Sequence, residues 1–293
     1  IDAVEEVKVQ KTMYPAEFGG KASALINVVT AAGTNRLRGN ALELVRDDAL
    51  DARNVFDDPA RPLPPLRQHQ FAINGGGPLR RNRAFFFGSY EGQRLRRSQT
   101  QVFAVPESTR RTGDFSDAAA PLCDPLTRTA SGGCVPFPGN RIPNDRLDRV
   151  ALALLARVPQ PTTPGAVQNL VAVGNQVNPS DQFSLRLDYG PRETDRLYAR
   201  GTTFRVRDEQ PFGTSALNES LVPGFGRIVT TRSENVAVGH THTFSPRWLT
   251  ETRMGYLHAA GGQASVNRGV DFAQLAGLRG VTADTRDMGY PQV

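Results

Sequence analysis

Hydrophobic and polar residues alternate along several stretches of this chain, and the clearest case runs from Gln182 to Tyr189. Phe183, Leu185, Leu187 and Tyr189 fall on one face of an extended strand, and Gln182, Ser184, Arg186 and Asp188 fall on the other. The stretch from Trp248 to Tyr256 alternates in the same way, with Glu251 and Arg253 on its polar face. This pattern predicts strands that have one apolar and one polar face.

A strand-turn-strand signal lies between Gln68 and Arg94. A basic turn, Leu79 to Arg83, separates the two runs; Gly75–Gly77 are predicted to open this turn, and Phe85–Phe87 to begin the second strand. The strands predicted after residue 36 are 37–46, 68–74, 84–97, 182–189, 195–207, 228–244 and 248–259. Their connections alternate between long and short, which is typical of outer-membrane barrels, with long loops on one side and short periplasmic turns on the other.

Two segments do not follow this pattern of amphipathic strands with alternating long and short connections. Residues 22–30 form a mostly apolar run bounded by glycines, which predicts a short strand buried on both faces. Within the long connection, Asn144 or Asp145 is predicted to cap a helix that Pro159 ends, because Leu147, Val150, Ala151, Leu154, Leu155 and Val158 follow helical spacing.

Composition narrows the fold class. Hydrophobic residues make up only 39% of the 293 residues, and no apolar run approaches the roughly 20 residues of a membrane-spanning helix. A barrel with a polar interior needs an apolar residue only at every second strand position. The prediction is therefore an all-β fold, a partial transmembrane antiparallel β-barrel of about seven strands, in the outer membrane of a Gram-negative-type bacterium.

The net charge of +6 raises the question of nucleic acid as a partner. The arginines are spread along strands and turns rather than gathered in one block, so nucleic acid is not expected. Arginines that face the lumen or anionic lipid explain the excess better, and outer-membrane lipid and lipopolysaccharide are the expected partners.

An ordered set of motifs resembles the TonB-dependent receptors, in particular their Oar-like branch. The segments that carry the resemblance are 15–19, 27–30, 33–35, 46–54, 75–78, 85–92, 113–116, 124–125 and 137–143. The resemblance covers residues 1 to about 260. It implies that 1–35 is the C-terminal end of a plug domain and that 36–293 is the N-terminal part of the barrel, with a long extracellular loop at about 98–180.

The resemblance further implies energised uptake of a substrate across the outer membrane, driven through the TonB complex. The segment that would contact TonB, most of the plug and the later strands are not in this chain, which is expected to be an internal fragment of a longer protein. Two alternatives stay open: a surface or adhesion barrel without transport, and a soluble, secreted, carbohydrate-binding β domain. The transported ligand is not identified; carbohydrate, peptide and metal chelate are all open.

Few residues carry candidate chemistry. Cys123 and Cys134 flank a Gly- and Ser-containing turn and could close a small disulfide loop in an oxidising compartment. Arg94, Arg96 and Arg97 end a predicted strand on the long-loop side, where they are predicted to contact lipopolysaccharide phosphates.

Catalytic and cofactor chemistry is not expected from the sequence. There is no phosphate-binding loop and no plausible pair of nucleophile and base. His240 and His242 share a strand face, but a zinc site needs a third ligand within reach. The sequence therefore predicts no enzyme, no cofactor and no metal site.

Overall fold

The computed structural model describes residues 4–11, 24–52, 63–130, 132–212, 226–281 and 284. Two sheets make up most of this part of the chain. Strands β1 (Val4–Gln10) and β2 (Leu25–Thr30) form an antiparallel pair, and seven further strands form a second sheet in the order β3 to β9. The all-β prediction is confirmed, including the number of strands in the larger sheet.

The larger sheet follows chain order, so each strand pairs with the strands before and after it in sequence. The bounds are β3 Arg38–Asp47, β4 Leu66–Arg80, β5 Ala84–Phe103, β6 Leu170–Arg192, β7 Asp195–Gln210, β8 Arg227–Ser245 and β9 Trp248–Ser265. Antiparallel neighbours connected in sequence are the arrangement of an up-and-down barrel. Within the described residues the sheet is open, with β3 and β9 as its outer strands.

Most strands run further than the alternation predicted, especially at the ends next to the long connections. The connection between β5 and β6 covers 104–169 rather than 98–180, because β5 continues to Phe103 and β6 begins at Leu170. These extra residues are mixed polar and apolar. A strand that leaves the membrane no longer needs a lipid-facing apolar set, so its pattern resembles that of a loop.

The prediction that Gly75–Gly77 open the turn is wrong. All three residues lie inside β4, where Gly76 pairs with Phe87 and Gly77 with Phe86. A Cβ on Gly76 would lie 2.9 Å from the Phe86 carbonyl oxygen and 3.0 Å from the Phe87 ring. Gly76 therefore leaves room for the Phe87 ring and Gly77 for the Leu37 side chain, and the turn itself is only Arg81–Arg83.

The prediction that the second N-terminal strand is buried on both faces is also wrong for the described residues. In β2, Ile26 is 61% exposed and Val28 is 47% exposed. The β1–β2 pair is a two-stranded ribbon, and two strands have too little surface to cover both faces of an apolar run.

The chain divides into two compact units. The first comprises 1–97, 177–208 and 229–262; the second comprises 98–176, 209–228 and 263–293. The second unit has its own small core of Phe103, Val105, Leu170 and Phe212. It also holds the helices α1 (Ser108–Arg111), α2 (Arg149–Leu155) and α3 (Phe272–Ala276).

Helix α2 is shorter than predicted and is capped by a different residue. The carboxylate of Asp148, not that of Asn144 or Asp145, accepts a hydrogen bond from the Ala151 backbone N–H at 2.8 Å. Asn144–Arg146 instead forms a separate 3₁₀ turn. At the other end of α2, the Arg111 guanidinium donates to the carbonyl oxygens of Leu155 and Val158, at 3.2 and 2.6 Å.

None of the helices in the described residues is long and apolar enough to cross a membrane.

Candidate functional site

The sheet of the first unit has one polar and one apolar face, as the alternation in β6 predicts. On the apolar face, Phe183, Leu185, Leu187 and Tyr189 are each 42–50% exposed. On the polar face, the Ser184 and Thr202 hydroxyls lie 3.3 Å apart across β6 and β7. Exposed apolar side chains on one face and paired polar side chains on the other suit lipid outside and water inside.

Arg186 lies on the polar face of β6. Its Nε and Nη2 atoms donate to the Asp188 carboxylate at 2.9–3.1 Å, which makes a two-pronged ion pair within β6. Its Nη1 atom donates to the Thr30 carbonyl oxygen at 2.8 Å and lies 3.2 Å from the Thr30 hydroxyl. Its guanidinium also lies over the Tyr198 ring, 5.6 Å from the ring centre. One side chain thus joins the end of β2 to β6 and β7.

A second contact holds the segment after β2. The Asn35 amide nitrogen donates to the Asn82 side-chain oxygen at 2.7 Å, and the Asn82 backbone N–H donates to the Asn35 side-chain oxygen at 2.8 Å. Asn82 has a φ of 62°, a left-handed conformation that Asn tolerates better than most residues. The N-terminal segment is therefore tied to the β4–β5 turn.

Gly33 passes close to β5 between these two contacts. A Cβ on Gly33 would lie 2.2 Å from the Phe86 carbonyl oxygen, so only glycine fits without a shift of the backbone. The three contacts, at Thr30, Gly33 and Asn35, place residues 30–35 against the first unit's sheet. Sequence reasoning predicted the segment as part of a plug but did not predict which strand residues it contacts.

A cleft on the polar face lies among β3 to β7. Gln70 donates to Gln93 across β4 and β5 at 3.0 Å. The remaining side chains around the cleft include Leu42, Leu44, Glu91, Gln182 and Phe204. Amide, carboxylate and aromatic groups in one cleft can hydrogen-bond and stack on a polar ligand.

The three arginines predicted to contact lipopolysaccharide do not act as one group. Arg94 donates to Asp181 at 2.7 Å and lies over the Phe71 ring, and Tyr90 donates to the same carboxylate at 2.6 Å. Arg96 shares the face of Arg94, whereas Arg97 points to the opposite face of β5. They also do not end the strand, which continues to Phe103.

The register adds an arginine that sequence reasoning missed. Arg67 of β4 pairs directly with Arg96 of β5, so two guanidinium-bearing side chains stand side by side. Arg67 is in turn 3.2 Å from the Asp47 carboxylate. No sequence signal linked Arg67 to Arg96, because strand register follows from pairing and not from spacing along the chain.

The second unit carries both cysteines and a fully buried asparagine. Cys123 and Cys134 form a disulfide, with their Cα atoms 5.7 Å apart. Asn169 is 0% exposed and pairs with Val105 in both directions at 2.8 Å, as acceptor from the backbone N–H and as donor to the carbonyl oxygen. These contacts organise the 104–169 connection without long regular elements.

Near the short turns, a histidine pair meets a carboxylate. The Asp195 Oδ1 atom lies 3.1 Å from His240 Nε2 and 2.7 Å from His242 Nδ1. Among the described residues, these three are the group whose ligand atoms lie close enough together to hold a metal ion, all within 4.8 Å. The sequence places the two histidines on one strand face but does not indicate a third ligand. Asp195 supplies the third group from the neighbouring strand.

Comparison with known proteins agrees with this architecture. Residues 29–293, well over half of the chain, match the family described as the outer membrane beta barrel domain. No curated protein and no solved structure matches the chain. With its open sheet of seven antiparallel strands and its two contrasting faces, the chain belongs to the outer membrane beta barrel domain family and is located in the outer membrane.

Proposed function

We propose that the chain is the junction of plug and barrel in an outer-membrane transporter of the TonB-dependent type. The observation that carries the proposal is the hydrogen bond from Arg186 to the Thr30 carbonyl oxygen, 2.8 Å long. It fastens the N-terminal segment to the polar face of the sheet. A membrane protein that only displays loops has no need for such a segment on its lumen-facing side.

The chemistry of the contact suits a plug that must move. Within the described residues, hydrogen bonds at Thr30 and Asn35 hold the segment to the sheet. A net hydrogen bond is worth about 1 kcal/mol, or up to about 3 kcal/mol when one partner is charged. Such contacts give a defined resting position and are broken by a modest force when water can replace them.

The cleft on the polar face of the sheet, which has both apolar and hydrogen-bonding side chains, suggests the class of ligand. Gln70, Gln93, Gln182 and Glu91 offer several donors and acceptors, and Phe204 offers a ring for stacking. We propose that a polar, hydrogen-bonding solute passes along this face. Carbohydrate, peptide and metal chelate all meet that description.

Uptake with and without TonB tests the proposal. Cells that make the protein would be compared with cells that lack it for uptake of candidate polar solutes, in strains with and without TonB. We expect uptake to require both the protein and TonB. Uptake that requires the protein but persists without TonB would contradict the proposal.

A second candidate is an outer-membrane adhesion or surface barrel that does not transport. The ordered 104–169 connection favours it, because its disulfide and the core of Phe103, Val105, Leu170 and Phe212 make a defined surface. Binding to host or matrix material that is unchanged by loss of TonB, together with absence of any uptake, would support this candidate. The soluble, secreted alternative is set aside, since the family is an outer-membrane one.

We also propose that Arg67 and Arg96, with Arg94 beside them, contact phosphates of lipopolysaccharide. Guanidinium groups pair strongly with phosphate oxygens. Replacing Arg67 and Arg96 with alanine is expected to weaken binding of purified lipopolysaccharide, and Arg97→Ala is the matched control on the opposite face. Equal binding by the double variant and the control would contradict this contact.

A further inference from the structure

Two neighbouring strands bring a carboxylate and two imidazoles together beside the short turns. Asp195 is the first residue of β7, and His240 and His242 stand two positions apart near the end of β8. The Thr243 backbone N–H donates to the Thr194 carbonyl oxygen at 2.9 Å, which fixes the register of the two strands at this level. Since side chains alternate along a strand, His240 and His242 share one face, and Asp195 faces both.

We propose that Asp195, His240 and His242 form a binding site for a divalent transition-metal ion, with Zn²⁺ as the best match. The ligand set is two nitrogens and one oxygen, which zinc accepts in four-coordinate sites that leave one position for water. Calcium and magnesium prefer sites made of oxygen atoms alone, so they fit this set poorly.

The distances are close to what zinc needs. Metal–ligand bonds of about 2.0–2.1 Å in a tetrahedron place the ligand atoms about 3.3 Å apart. The two imidazole nitrogens lie 3.1 and 2.7 Å from the same carboxylate oxygen, and all three atoms lie within 4.8 Å. Small rotations of the side chains, without movement of either strand, are enough to open the gap for an ion.

Neighbouring groups hold the ligands in position. The Thr194 hydroxyl donates to Asp195 Oδ2 at 3.0 Å, so Oδ1 is the oxygen left facing the imidazoles. The His242 ring packs edge-on against Phe244, with 4.2 Å between the ring centres. Hydrogen bonds to a ligating carboxylate and packing against a ligating imidazole are typical supports of metal sites.

Access is also suitable. The side chain of Asp195 is only 14% exposed, whereas those of His240 and His242 are 44% and 30% exposed. His240 lies beside Leu187 and Tyr189 of the apolar face, so an ion would reach the imidazoles at the membrane surface next to the short turn, and the carboxylate that balances its charge is sheltered. A bound ion would join β7 to β8 at the end of the sheet where the connections are short.

Calorimetric titration of the folded chain in detergent micelles with Zn²⁺ alone tests the proposal. We expect one Zn²⁺ ion per chain. The Kd for Zn²⁺ should be at least about tenfold higher in His240→Asn, His242→Asn and Asp195→Asn. Thr194→Val removes the hydroxyl that donates to Asp195 but leaves all three ligands in place, and it is expected to weaken Zn²⁺ binding by about tenfold. Circular dichroism of each variant establishes that the strands have formed.

The chain has four histidines, so the other two provide a matched control. A variant with His69→Asn and His258→Asn should bind Zn²⁺ as tightly as the unaltered chain. The chain's one tryptophan, Trp248, packs against Phe244 with 5.1 Å between the ring centres. Cu²⁺ at the same site should therefore quench its fluorescence, and His242→Asn should abolish that quenching.

Binding by the Asp195→Asn variant as tight as by the unaltered chain would overturn the proposal. The proposal would also be overturned if the control variant with His69→Asn and His258→Asn bound Zn²⁺ as weakly as the site variants. Neither result bears on the proposed transport, which is tested by uptake measurements and not by zinc binding.

Discussion

At the scale of single residues, Arg186 joins three parts of the chain on the polar face. It contacts Asp188 in its own strand, Tyr198 in the next strand and Thr30 in the N-terminal segment. Its side chain is 22% exposed and that of Asp188 is 23% exposed, so the pair is sheltered from much of the solvent. A guanidinium can bind a carboxylate bidentately and still donate to a third partner, and the ammonium group of lysine lacks this planar geometry.

Arg186→Lys is expected to loosen the N-terminal segment. Loss of the guanidinium should remove the hydrogen bond to the Thr30 carbonyl oxygen, at a cost of about 1.5 kcal/mol. Hydrogen exchange in residues 25–30 should then rise by roughly tenfold. Exchange measured by mass spectrometry checks this, with Arg247→Lys in an exposed turn as the control. Unchanged exchange in 25–30 would show that Thr30 is not held by this arginine.

Asp124 carries the prediction about pH. The Arg146 guanidinium donates to both of its carboxylate oxygens, at 2.7 and 3.0 Å, and the Leu126 backbone N–H donates at 2.9 Å. The hydrogen bonds from Arg146 first, and then that from Leu126, favour the charged form and hold the pKa of Asp124 below its ordinary value. The pair's contribution is therefore complete above about pH 4 and is lost as pH falls through the lower, folded-state pKa.

In an NMR titration, the Leu126 amide signal should follow the Asp124 carboxyl with a midpoint below about pH 4. Arg146→Gln should move that midpoint upward, because the largest favourable contact with the charged form is gone. Arg128→Gln changes a charge in the same loop without touching Asp124 and should leave the midpoint in place. Equal midpoints in all three proteins would show that Arg146 does not lower the pKa of Asp124.

At the scale of elements, close fits between glycines and rings connect adjacent strands. Gly239 of β8 lies against the Tyr198 ring of β7, where an added Cβ would be 2.2 Å from the ring. Gly92 of β5 lies against the Phe71 ring of β4 in the same way, at 2.4 Å. In both pairs a ring from one strand covers a glycine on its neighbour. This fit sets the register more tightly than backbone hydrogen bonds alone.

Gly239→Ala should therefore destabilise the sheet by about 1–3 kcal/mol, because the Tyr198 ring must leave its position. The urea midpoint of unfolding from detergent micelles measures the loss. Gly262→Ala in β9 is the matched control, since nothing lies within 4 Å of an added Cβ there. Equal midpoints for the two variants would mean that the ring moves aside without cost.

At the scale of the whole molecule, the described sheet has β3 and β9 as outer strands. Within lipid, backbone N–H and C=O groups need partners, and an open edge leaves them without any. We infer that both outer strands pair with further strands in the membrane. Short turns at 81–83, 193–194 and 246–247 alternate with long connections. We infer that the short turns face the periplasm and the long connections face the outside of the cell.

Cysteine labelling in whole cells tests that orientation. Arg247→Cys, in a short turn, should not react with a membrane-impermeant maleimide, whereas Val167→Cys, in the long connection, should react. Cys123 and Cys134 are joined, so they should give little background. Reaction at position 247 and protection at 167 would reverse the proposed orientation.

The strands and the rhythm of their connections could be predicted from sequence because they are local. Alternation along β6 and the turn residues near 81–83 act within a few positions, and the ordered motifs resembled one family. Predictions were less accurate where context decides. Gly75–Gly77 suggest a turn because glycine usually breaks a strand, but in β4 Gly76 makes room for the Phe87 ring and Gly77 for Leu37.

The sequence by itself determined that this is an all-β, outer-membrane chain with one apolar and one polar face, since that depends on alternation between neighbours. Only the tertiary structure decided which distant residues meet. Arg186 and Thr30 are 156 positions apart, and Asp195 lies 45 and 47 positions from its two histidines. Such pairs are fixed by strand register, which follows from packing across the sheet and leaves no periodic signal along the chain.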